Sequence, residues 1–314
     1  MKKMPHEGSI VYQKDGQKII DCNVCGFKHL DPIPSDEEID DYYKRTYFDQ
    51  IKQGAKGRNL KHYLDGDNEA DSEMQWMNAT MYSDVNEILS QFLPERSKKI
   101  CDIGCGSGYF LKYMSRIGWD CVGIEPAENA AYDFQNIKIF NSTLEGFILE
   151  YPNYQHFFDA VTLWGVLEHA TNPQKMMNTV KKLLKTDGII FINVPNDFSS
   201  FQITAQENLG IDPWWPSIPD HINYFSMDSL QKFLESQGFS VIEKTTDFPM
   251  ELFLLMGDNY ITDPKVGSLC HQKRKLFELA IPHSLRHSLY SCFAHHSLGR
   301  CCIVYAQLKN SDTY

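Results

Sequence analysis

No apolar run in these 314 residues reaches the length of a membrane-spanning helix. Met1-Lys2-Lys3 passes straight into polar residues, without the apolar segment of a secretory leader. A disulfide framework is missing as well, since the nine cysteines are an odd set scattered over core strands and loops. Together these absences predict a protein of the reducing cytoplasm. Positive charge is scarce too: 30 Lys and Arg stand against 41 Asp and Glu, a formal net charge of −11. Affinity for a phosphate backbone rests on clustered Lys and Arg, so nucleic acid is disfavoured as a partner and a small-molecule substrate is expected. The basic cluster His271-Gln272-Lys273-Arg274-Lys275 lies in a helical pattern and reads as a solvated face. No internal repeat or low-complexity tract appears. What remains, 42% hydrophobic and 23% charged, is the composition of a soluble protein with a substantial core. Nothing in it fixes an oligomeric state.

Between Lys98 and Pro126 the chain reads KKICDIGCGSGYFLKYMSRIGWDCVGIEP. An apolar strand ending in Asp102 enters a turn with Gly104, Gly106 and Gly108, where missing side chains let the backbone bend sharply and approach a ligand at a helix N-terminus. A second strand ends at Glu125, a carboxylate about 20 residues beyond the turn and placed to accept hydrogen bonds from both hydroxyls of a ribose. A dinucleotide site would carry its third glycine where Tyr109 stands. Asp102, directly before the turn, would repel a pyrophosphate but suits the ammonium of a methionine moiety.

This D-x-G-x-G-x-G run with Glu125 resembles motif I and the ribose acid of class I S-adenosylmethionine-dependent methyltransferases. The segment Phe158 to His169, ending Val166-Leu167-Glu168-His169, resembles the family's fourth strand and the loop after it. Leu184 to Asn196 resembles its helix, turn and fifth strand. His221 to Ser226, followed by Gly238-Phe239, resembles the branch of ubiquinone-type O-methyltransferases and bacterial tailoring methyltransferases. The resemblance implies a Rossmann-like α/β fold: a seven-stranded, mostly parallel sheet with helices on both faces and an antiparallel last strand. It implies S-adenosyl-L-methionine as cofactor, held by Asp102, Gly104, Cys105, Gly106, Gly108, Glu125, Pro126, Thr143, Leu144, Trp164 and Glu168.

Methyl transfer to a hydroxyl needs alignment and a base to take the proton. His221 is the first candidate, in an aromatic loop with Trp214, Trp215 and Tyr224, which are candidate substrate contacts. His169 is the second. The alternative is that either histidine only orders its loop. Two other function classes stay open: a non-catalytic cofactor-binding protein on the same fold, and a nicotinamide-dependent oxidoreductase, against which Tyr109 speaks.

The expected organisation is an N-terminal segment over 1–95, a core over 96–246, a helical insertion over 247–300 and a final strand over 301–314. Cys22-Asn23-Val24-Cys25-Gly26 has the shape of one zinc knuckle. No second C-x-x-C exists, and only His6 and His29 lie nearby, so the segment reads as half of a ribbon, with Cys22 and Cys25 weak candidate ligands and no metal expected. Ser35, with Glu38 three residues on, predicts a helix start. Tyr42, Tyr43, Tyr47 and Phe48 of that helix are expected to roof the pocket or to pack as a cap, and 50–71 to form a loop. A further helix is expected over about 72–92. Apolar helical patterns at 250–256 and from 275 toward 291 predict an insertion that covers the ligand crevice.

Overall fold

The computed structural model describes residues 6–42, 68–94, 98–127, 134 and 136–309. Of the loop expected over 50–71, residues 50–67 lie outside these residues, as do Tyr43, Tyr47 and Phe48, and 68–71 are helical. Two sheets organise the chain. The larger is built from β4 (Lys99–Ile103), β5 (Asp120–Ile124), β6 (Lys138–Phe140), β7 (Phe158–Trp164), β8 (Leu184–Pro195), β10 (Phe239–Thr245) and β11 (Cys301–Leu308), in the order β10-β11-β8-β7-β4-β5-β6. β11 runs antiparallel to both neighbours, and the other pairings are parallel. From β4 the chain runs outward to β6, then returns to the other side of β4 as β7. This reversal opens a crevice at the carboxyl ends of β4 and β7, where open α/β sheets bind ligands.

The central strands are buried on both faces, which is why β7 is an apolar run rather than an alternating one. On one face pack α5 (Leu144–Glu150), α6 (Pro173–Leu183) and α8 (Met227–Ser236), through residues such as Phe147, Val180 and Leu230. On the other pack α3 (Ser83–Phe92) and α4 (Tyr109–Arg116), through Ile88, Leu89, Leu111 and Met114. α2 (Asn68–Met77) continues into α3 through a π turn at Asn78–Tyr82, so the helix expected near 72 begins earlier. α1 (Asp36–Tyr42) starts as its capping pattern predicts: Glu38 N–H donates to Ser35 Oγ at 3.2 Å, and Ser35 N–H donates to Glu38 Oε2 at 2.8 Å.

The smaller sheet joins β1 (Gly8–Lys14), β2 (Gln17–Cys22) and β3 (Lys28–Asp31) to β9 (Asn223–Tyr224), a strand nearly two hundred residues further on. Lys28 pairs with Tyr224 and His29 with Asn223. The N-terminal ribbon is thus stitched to the loop that carries His221.

Three expectations are corrected. The stretch 184–196 holds no helix: α6 ends at Leu183, and β8 starts at Leu184 with a bulge around Asp187, whose φ of 63° breaks the regular pairing with β7. The helical pattern from 275 toward 291 is two helices, α10 (Pro264–Ala280) and α11 (His283–His295), because Pro282 forces Ile281 into an extended conformation. The basic cluster is not a solvated face. Arg274 is only 8% exposed, lies 5.1 Å over the Trp76 ring and pairs with Asp247 and Glu278, while His271 and Lys275 both meet Glu73.

Candidate active site

The glycine turn closes over the end of β5, with Gly104 and Cys105 N–H groups both donating to the Ile124 carbonyl. Gly104, at φ 68°, has no room for a side chain: a Cβ there would come 2.7 Å from Val166 Cγ2. Gly106, at φ 51°, is the opposite case, since a Cβ there would meet nothing within 4 Å. Its backbone therefore faces open space. Gly108 begins α4, and Cys105 lays its sulfur against Gly123.

Glu125 stands across this opening. Its Oε2 accepts from Gly106 N–H at 2.9 Å and its Oε1 from Ala127 N–H at 2.9 Å. A carboxylate offers about four lone-pair sites, so each oxygen retains one for a ligand hydroxyl. Asn141, which sequence reasoning missed, donates from Nδ2 to the carbonyls of Glu125 and Pro126, both at 3.2 Å, and holds this corner in place. Asp102 lies beneath the turn, 3% exposed, with Thr162 Oγ1 donating to its Oδ1 at 2.6 Å. Burial raises its carboxyl to about 7, against the opposing effect of Thr162 and with a further rise from Glu125. A buried carboxyl so starved of positive charge fits a cationic ligand group. The open face at Gly106, the free lone pairs of Glu125 and buried Asp102 together fit S-adenosylmethionine: a ribose at Glu125 and an ammonium toward Asp102.

The remaining cofactor candidates divide. Thr143 caps α5 by accepting from Gly146 N–H, and Leu144 is a core residue. The Trp164 ring sits among Tyr82, Phe110 and Phe191. It also lines a cavity shared with Thr80, Asp84, Thr246, Arg274 and Glu278, where α10 and α11 pack near this face of the sheet.

The two histidines meet at the loop after β7. Their rings lie 5.0 Å apart, edge to face. His169 donates from Nδ1 to the Asp220 carbonyl at 2.7 Å, leaving Nε2 3.8 Å from Glu168 Oε1. Burial works against charge on His169, but the Asp220 and Glu168 carboxylates outweigh it and raise the imidazole above its ordinary range. Glu168 is itself buried and raised for that reason, with His169 and His221 partly opposing. His221 points Nδ1 into a buried position 3.9 Å from Asp197 Oδ2. The backbone fixes both loops together: Ile222 N–H donates to the Glu168 carbonyl, and Asn223 Nδ2 to those of Leu167 and Ala170. Asp197 and Asp220 were missed in the sequence. The signals were an acid just past the end of β8 and one directly before His221.

Of the expected substrate contacts, Trp214 is half-buried and stacks edge to face on Trp215, which is 7% exposed with an unpartnered indole N–H. Tyr224 is 2% exposed and packs with Ile19, Leu30 and Ile222, so its ring is part of the small-sheet core. At the N-terminal ribbon, the two histidines that the sequence left beside a half-ribbon come to its cysteines: donor atoms of His6, Cys22, Cys25 and His29 all lie within 4.8 Å of one another.

A methyltransferase-domain family model matches residues 77–244, more than half of the chain. The ubiquinone biosynthesis O-methyltransferase of Glaesserella parasuis serovar 5 is 34% identical over 108 residues, covering 32% of this chain and 46% of the relative. The tRNA U34 carboxymethyltransferase of Aliarcobacter butzleri is 27% identical over 187 residues, covering 56% and 57%. The chain spans about half the length of the curated relatives it matches. Among solved structures, the 1,6-didemethyltoxoflavin-N1-methyltransferase of Burkholderia thailandensis with bound S-adenosylhomocysteine is 12% identical. It covers 96% of this chain and 100% of that one at a TM-score of 0.50, a likeness of fold alone.

Proposed function

Since the chain belongs to this methyltransferase-domain family, we propose that it is an S-adenosylmethionine-dependent methyltransferase acting on a hydroxyl of a small-molecule or saccharide-type acceptor. The observation that carries this reading is the juxtaposition at one sheet edge of the open Gly106–Glu125 corner and the His169–His221 pair. When bound, the cofactor supplies a methyl group on a sulfonium, ready for in-line displacement. Glu125 would hold the ribose hydroxyls, Asp102 would attract the ammonium, and the turn's glycines would let the backbone close on both.

His221 takes the acceptor proton in this reading. Asp197 and Glu168 stabilise the imidazolium that forms, and His169, tied through Nδ1 to Asp220, orients the pair. Half-buried Trp214 would offer its ring to an acceptor. The name of the ubiquinone-type relative favours an oxygen acceptor. A tRNA acceptor, which the other relative's name would suggest, runs against a net charge of −11 and a basic cluster tied up in internal ion pairs.

The test has two stages. Calorimetry should show S-adenosylmethionine and S-adenosylhomocysteine bound and NAD not; tighter NAD binding would overturn the cofactor. Transfer of labelled methyl to a panel of phenols, sugars and carboxylates, with bulk tRNA alongside, then identifies the acceptor. Label in tRNA and in no small molecule would overturn the acceptor class and leave the cofactor standing. Cofactor binding with no transfer to either would favour a non-catalytic binding protein.

A further inference from the structure

We infer that His6, Cys22, Cys25 and His29 form a structural zinc site that frames the N-terminal ribbon. The donors come from four places. β2 delivers Cys22 at its end, the tight turn after it delivers Cys25, and β3 delivers His29. His6 precedes β1 and is pinned there by the Asn23 N–H, which donates to the Glu7 carbonyl at 2.9 Å. Within the turn, Gly26 adopts φ 75° and returns a hydrogen bond to the Cys22 carbonyl, while Cys25 N–H donates to Cys22 Sγ at 3.4 Å.

Two of the distances, both from His6, match a tetrahedron. With zinc–sulfur bonds near 2.3 Å and zinc–nitrogen bonds near 2.0–2.1 Å, sulfur and nitrogen ligands stand about 3.6 Å apart. Here His6 Nδ1 is 3.7 Å from Cys22 Sγ and 3.3 Å from Cys25 Sγ. His29 supplies the independent observation. Its residue is fully buried, its Nδ1 donates to the Leu30 carbonyl at 2.7 Å, and its Nε2 has no hydrogen-bond partner. The backbone bond fixes the proton on Nδ1, so a bare lone pair on Nε2 is buried beside two cysteines and a second imidazole. An unpaired buried acceptor is costly, and a metal ion removes that cost. Two thiols and two imidazoles are a donor set suited to zinc.

The ion would stand one strand away from the active-site loop. His29 pairs with Asn223, and Leu30 N–H donates to the Ile222 carbonyl at 2.9 Å, next to His221. The four ligands are thus positioning residues for that loop.

The full-length protein, dialysed without chelator, should carry one zinc per chain by plasma mass spectrometry. Exchange into Co²⁺ should give the near-ultraviolet thiolate charge-transfer band and visible bands of a tetrahedral centre. Cys25→Ser and His29→Asn should each reduce bound zinc to a small fraction and abolish the charge-transfer band. Their affinity for S-adenosylhomocysteine, read by calorimetry, should remain and report a folded core. A wild-type protein that binds S-adenosylhomocysteine yet holds no metal and gives no cobalt–thiolate band would overturn the site. So would full zinc content in both variants. Metal loading is read without any methyl transfer, so it stands or falls apart from the enzymatic reading.

Discussion

The glycine turn and the histidine pair stand at the same edge of one sheet, yet they are made differently. Asp102, Gly104, Gly106 and Glu125 come from a single strand–turn–helix–strand passage, and their geometry follows from local backbone shape. The acceptor side draws on separated pieces: His169 after β7, Asp197 after β8, His221 before β9 and the small sheet behind them. A ligand corner built from consecutive residues can keep its shape with little outside help. One built from distant segments depends on every surface that presses them together.

Removing the base tests whether the two sides are separable. His221→Ala should lower turnover by about 10²–10⁴-fold while S-adenosylhomocysteine affinity, measured by calorimetry, stays near wild type. A parallel loss of cofactor affinity would merge the two sides into one unit. Next in size is the α10–α11 pair, which lies away from both sides. Glu278 accepts from Trp76 Nε1 at 2.7 Å, Tyr290 OH at 2.5 Å and Arg274 Nε at 3.2 Å, all in the interior. Glu278→Ala leaves Arg274 with Asp247 alone, strips the acceptor from Trp76 and Tyr290, and should cost about 2–4 kcal/mol in denaturant unfolding. A cost below about 1 kcal/mol would show that these helices are held by packing alone.

On the cofactor side the larger effect is electrostatic. Asp102 is raised in the fold from 3.8 to about 7, so it favours the folded state below pH 3.8, and this contribution is lost as pH climbs through 7. The ligand-free protein should lose on the order of a few kcal/mol of stability over that window, and Asp102→Asn should flatten the limb in thermal melts at pH 5 and pH 8. A variant with an unchanged limb would place the charge penalty elsewhere. Glu125→Ala is the gentlest change. It should weaken S-adenosylhomocysteine by about 1–3 kcal/mol and leave unfolding nearly unaltered, because the Gly106 and Ala127 amides stay near solvent. Unchanged affinity would move the ribose away from Glu125.

The same contrast explains what the sequence revealed. The turn and Glu125 were legible because spacing within one passage determines them, and the large sheet because the segments that follow resemble those of one family. Ser35 with Glu38 was legible for the same reason, a cap being a four-residue event. Asp197 and Asp220 were not, since nothing local distinguishes an acid that will face an imidazole from one that faces water. The ribbon shows this most plainly. Cys22 and Cys25 are three residues apart and were noticed, but only the folded β1–β3 sheet brings His6 and His29 onto them. Arg274 misled for a related reason: a charge in a helical pattern reads as solvated until Asp247 and Glu278 arrive from other elements.

The pairing of β3 with β9 also bears on how the chain is made. The ribbon leaves the ribosome before the strand that completes its sheet, which is synthesised almost two hundred residues later. Until then the edge of β3 is a row of unpaired amides and carbonyls flanked by Leu30, a template for pairing with another nascent chain. Contacts across so long a loop form late in folding, after the local parallel units have paid their own closure entropy. Stalling synthesis before residue 223 should therefore yield a species more prone to self-association than the finished protein, and deleting the ribbon should relieve it.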